Sequence, residues 1–170
     1  MAWLRLGLRD LILLVITAAL WRWMLPMPEA DTPIWLSLVA GVSITVCGFL
    51  AHEWGHLLGA RLAGAVVRPA SSLRSVFLFV FDVERSTPRQ FLAMSYGGYV
   101  ASALALAGLA AILSMDRLST WVALALTGVG VLVTAVLEIP TTVRVHRGRD
   151  LPTGFVYVGT PPSRRDAPGT

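Results

Sequence analysis

The sequence predicts an all-α membrane protein of about four transmembrane helices, with a short β-hairpin between the second and the third. Three observations lead there. The 170-residue chain is 55% apolar and only 14% charged, with a mean hydropathy of +0.68, whereas about a quarter of the residues in a soluble domain are charged. Four stretches approach the roughly 20 apolar residues that a helix needs to cross a hydrocarbon core about 30 Å thick. The arginines, finally, are placed very unevenly around those stretches.

The first span runs from about Gly7 to Leu25, around LILLVITAALW. Arg5 and Arg9 precede it as in a signal peptide, but no small-x-small cleavage site comes before WRWMLP, and Trp21 and Trp23 suit an interfacial anchor. A retained helix is expected. The second span begins at Ile34 and continues through LSLVAGVSITVCGFLAHEWGHLLGA. The third covers about Phe91 to Leu113 and the fourth about Thr120 to Ile139. Pro26, Pro28 and Pro33 punctuate the first junction, and Asp116 with Arg117 marks the turn between the third and fourth spans.

Between the second and third spans, SVFLFVFDV is rich in aromatic and β-branched residues, and AVVR before it can pair with it as a hairpin. GFVYVG near the end is a further strand candidate, and PPSRRDAPGT has the composition of a disordered end. The chain thus divides into a polytopic membrane domain over 1–140 and a cytoplasmic, partly disordered tail over 141–170.

Charge sets the orientation. All fourteen basic residues are arginine. With the N-terminus inside, twelve of them flank the spans on the cytoplasmic side and only Arg22 and Arg117 lie outside, a bias that places both termini in the cytoplasm of a multi-pass cell-membrane protein. The pI near 10.2 does not indicate nucleic acid, because the arginines are scattered between apolar blocks. A single cysteine, Cys47, excludes an internal disulfide.

The chemistry is concentrated in AHEWGHLLGARLAG, where His52, Glu53 and His56 stand within an apolar run. Each charged residue inside a span costs about 2.5–3.5 kcal/mol on insertion scales, so such residues are usually functional. His52 and His56 are four residues apart and share one helical face, with Cβ atoms roughly 6 Å apart. That spacing lets two imidazoles hold one metal ion, while Glu53, beside the first, serves as a general base. This is the H-E-x-x-H arrangement of zinc hydrolases.

HEWGHLLGA resembles the H-E-x-G-H-x-x-x-A signature of the site-2 protease family, the intramembrane zinc metalloproteases, with Gly55 and Ala60 where that family keeps small residues. MSYGGYVASALAL resembles its glycine-rich helix start, with Gly97, Gly98 and Tyr99 in place of A-G-P-x-x-N. The resemblance covers about Ile34 to Pro140. It implies Zn2+ as cofactor, a transmembrane protein as substrate, and hydrolysis of a peptide bond in or near that substrate's membrane segment, with the metal close to the cytoplasmic face.

A catalytic zinc needs a third protein ligand, which the family supplies as an aspartate in a motif resembling N-x-x-P-x-x-x-L-D-G. This chain departs from that pattern with AVLEIPTTVRVHRGRDLPTG. Glu138 lies about as deep in the fourth span as His52 does in the parallel second span, and Pro140 is expected to break the helix just beyond it. Asp150 has the family's residue type but reaches the metal only if VRVHRGR loops out and returns. Both remain candidates. The missing L-D-G also leaves room for a non-catalytic relative that binds metal or a client helix without cutting it, whereas Glu53 favours the enzyme. A metal transporter would place acidic or histidine ligands on several spans, and those are absent.

Overall fold

The structure is a computed structural model that describes residues 1–152. Its elements are the helices α1 (Ala2–Met24), α2 (Ile34–Leu62), α3 (Pro88–Ile112) and α4 (Leu118–His146), with two short strands, β1 (Val67–Pro69) and β2 (Phe79–Phe81), between α2 and α3. Among the described residues the expected architecture is present in outline, with four helices and one small antiparallel sheet. GFVYVG and the final tail lie outside the described residues.

Three helices, α2, α3 and α4, are long and apolar enough to cross a membrane. The first expected span differs. α1 has 23 residues, but Arg9, Asp10 and Arg22 leave only the run from Leu11 to Trp21 uninterrupted. Large apolar side chains remain exposed along the outer faces of the bundle, among them Val15, Val39, Leu104 and Val136.

α2 is the central element and packs against α1, α3 and α4. The Arg117 guanidinium donates to the Met24, Leu25 and Met27 carbonyls. This gathers the end of α1 and the α3–α4 turn at one end of the bundle. The opposite end holds the start of α1, the sheet and the end of α2. Here Leu6, Leu57, Ala60, Leu78, Phe79, Phe81, Phe91 and Met94 form the main apolar core. Phe79 and Phe81 are two residues apart, so the strand turns both toward that core.

β1 and β2 pair antiparallel, with Val67 opposite Phe81 and Pro69 opposite Phe79. The strands are shorter than the SVFLFVFDV pattern suggests, and residues 70–78 form an irregular strap between them. α3 starts at a capping box: Thr87 accepts from the Gln90 amide, Gln90 caps the Thr87 amide in return, and Pro88 follows at the first helical position.

Pro140 does not end α4, which continues to His146. A proline inside a helix forfeits one backbone hydrogen bond, and apolar helices tolerate it where neighbouring groups absorb the loss. α4 ends instead at Gly148, whose φ of +81° is a left-handed turn suited to glycine.

Candidate metal centre

His52, Glu53 and His56 lie in the last third of α2, and all three are buried, at 4%, 1% and 1% exposure. Their burial is made possible by glycine. α2 and α3 approach so closely that a methyl on Gly55 would overlap the Gly97 carbonyl, and one on Gly59 would overlap the Ala93 carbonyl. A methyl on Gly98 would overlap the His56 ring itself. The two glycines of MSYGGY therefore admit α2 to α3.

Close approach brings the α3 backbone within reach of both imidazoles. His56 Nδ1 lies 2.9 Å from the Met94 carbonyl oxygen. His52 Nδ1 lies 3.2 Å from the Gly98 carbonyl oxygen and 2.8 Å from Ser102 Oγ. A carbonyl only accepts, so a neutral ring making these contacts carries its proton on Nδ1 and turns the lone pair of its Nε2 toward the other ring. Those two Nε2 atoms face each other at 2.9 Å. A divalent cation beside them would take up both lone pairs.

α4 adds a carboxylate to the same point. Glu138 places Oε1 3.6 Å from His52 Nε2 and Oε2 3.4 Å from His56 Nε2. One ligand atom from each of His52, His56 and Glu138 lies within 4.8 Å of the others. Tetrahedral donors at zinc distances of about 2.0–2.1 Å stand roughly 3.3 Å apart, close to these separations. Two imidazoles fixed by outer hydrogen bonds and one carboxylate are a donor set that fits a divalent metal. The candidate site is thus His52, His56 and Glu138.

Asp150 is not brought to this group. It is exposed, beyond Gly148, beside Arg144 and Arg149 in a pocket at the end of α4. Glu53 stands next to the group without joining it. Its Oε2 accepts from the Leu78 amide at 3.1 Å, and its Oε1 has no hydrogen-bond partner among the described residues.

Sequence reasoning missed Ser102, the Gly98 and Met94 carbonyls, and the Leu78 amide. Ser102 carried a faint signal: Ser95, Gly98 and Ser102 recur at spacings of three and four and so share one face of α3. The backbone groups carry none, since every residue has them. Comparison with known proteins adds no identity to this geometry: no family model, curated protein or solved structure gives a significant match to the chain.

Proposed function

We propose that this chain is an intramembrane zinc metalloprotease that hydrolyses a peptide bond in or near a transmembrane segment of a protein substrate. The observation that carries the reading is the convergence of two Nε2 lone pairs and a carboxylate beside Glu53, whose second oxygen is unpartnered. The apolar helices and the arginine bias support a bilayer setting, with both termini in the cytoplasm and the site near that face.

His52, His56 and Glu138 would hold the metal. Bound there, zinc supplies a water with its pKa lowered toward about 7 and a Lewis acid for the scissile carbonyl. Glu53 does the proton work. Its Oε1 takes a proton as the water oxygen bonds to the carbonyl carbon, then delivers it to the leaving nitrogen as the C–N bond breaks. The Leu78 amide, bonded to Oε2, holds the carboxylate in place. A substrate helix hides its amides in its own hydrogen bonds, so it must unwind locally, and the segment that carries β2 would have to move to pair with it, because Phe79 and Phe81 are buried.

The test is cleavage of a panel of quenched fluorescent single-span peptides by the reconstituted protein. We expect at least one to be cut, and Glu53→Gln to lower the rate by about 10²–10⁴-fold while metal content stays unchanged. A zinc-loaded protein that cuts none of them, or a Glu53→Gln variant with full activity, contradicts the proposal. The second reading, a metal- or client-binding relative without catalysis, draws on the near-complete burial of Glu53 and His56, and the first of those results would favour it.

A further inference from the structure

α1 carries an acidic group that the proposed chemistry does not use. Asp10 is 2% exposed, in a helix otherwise apolar from Leu11 to Trp21. Burying a carboxylate is costly unless it is paired and hydrogen-bonded. Its Oδ2 accepts from Trp54 Nε1 at 2.9 Å and its Oδ1 accepts from Arg9 Nε at 2.7 Å. The same guanidinium reaches the strap: Arg9 Nη1 donates to the Leu73 and Ser75 carbonyls, each at 2.9 Å. Ser75 Oγ in turn donates to the Phe77 carbonyl at 2.8 Å, and the next amide, that of Leu78, donates to Glu53.

We infer that Arg9 and Asp10 are positioning residues that fix Glu53 from two sides, by tying Trp54 to α1 and by pinning the strap that supplies the Leu78 amide. Trp54 follows Glu53 directly in α2, so the Asp10 bond fixes the helix next to the general base. The strap is closed at its base by the Ala70 amide donating to the Leu78 carbonyl and turned by the Ser75 amide donating to the Ser72 carbonyl, and the Arg9 bonds fix the part between them to α1. Arginine suits this task because its rigid fork satisfies the carboxylate and the two carbonyls together. The catalytic part of the inference rests on the proposed protease function, but the pinning of the strap does not.

Hydrogen exchange read by mass spectrometry on the full chain in nanodiscs tests the pin without a substrate. In Arg9→Ala we expect exchange across residues 71–80 to rise at least about tenfold, while α2 around His52 and the zinc content stay as in wild type. Arg9→Lys should restore part of the protection, Asp10→Asn should cause a smaller rise than Asp10→Ala, and Arg5→Ala, on the same helix and exposed, should cause none. Against any peptide the wild type cleaves, Arg9→Ala should lower kcat with little change in KM. Unchanged exchange at 71–80 in a folded Arg9→Ala protein overturns the inference. So does exchange that rises through every helix together, or a Lys variant no better than Ala, because either marks a general structural support. Wild type without zinc would sink the protease reading and leave the exchange result to decide the pin.

Discussion

The α2–α3 seam and the α2–α4 contact build the candidate centre in different ways. Across the seam, Gly55, Gly59, Gly97 and Gly98 bring backbone against backbone and ring against backbone, so the two histidines are oriented by carbonyls that cannot move without moving a helix. Across the other contact the tight point is remote from the site, where Gly41 of α2 meets Val122 and the Ser119 carbonyl near the start of α4; at the site end α4 contributes a long side chain, Glu138, and its glycines 128 and 130 have open space where a methyl would lie. Two ligands are therefore set by helix packing and the third is delivered by reach. Damage to the seam should therefore cost fold and site together, while damage at the Glu138 end of α4 should cost the site alone.

The largest effect should come from Gly98→Ala. Its methyl meets the His56 ring, and overpacking of this kind costs about 1–3 kcal/mol. Thermal unfolding in detergent after chelation should show a lowered Tm, with metal binding lost as well. An unchanged Tm would mean that the seam is looser than its glycines imply. Next comes Glu138→Ala, which should abolish metal retention while the chelated protein unfolds at the wild-type temperature. A drop in that temperature would make Glu138 a structural group and dissolve the contrast.

Ser102→Ala sharpens the comparison from the outer side. It removes one hydrogen bond to His52 and leaves the Gly98 carbonyl, so metal affinity measured by competition with a chromophoric chelator should fall about 10–100-fold, the usual cost of an outer-sphere partner. The smallest change should be Gly130→Ala, where helix propensity alone acts. We expect it to stabilise by about 0.5–1 kcal/mol, the opposite sign to Gly98→Ala. Destabilisation would show that α4 also depends on its glycines.

The parts legible in the sequence were those set by local geometry. His52, Glu53 and His56 share a helical stretch whose periodicity places two imidazoles together, and depth along two parallel helices directed attention to Glu138. The Asp150 alternative needed the chain to loop out after Pro140, and α4 continues past that proline instead. What was not legible is tertiary. The partners of both Nδ1 atoms are carbonyls, and the partner of Glu53 is an amide, chosen by where the helices and the strap lie rather than by residue type. Asp10 carries no signal in the sequence because its meaning depends on Trp54, 44 positions away. In α1, Arg9, Asp10 and Arg22 leave an apolar run shorter than the span expected from Gly7 to Leu25.

The most direct measurement is metal content, by elemental analysis of the detergent-purified protein and of His56→Ala, Glu138→Ala and Asp150→Ala. The account predicts near-stoichiometric zinc in wild type and in Asp150→Ala, and its loss from His56→Ala and Glu138→Ala. A folded wild type without zinc, or retention of zinc by both His56→Ala and Glu138→Ala, would contradict it.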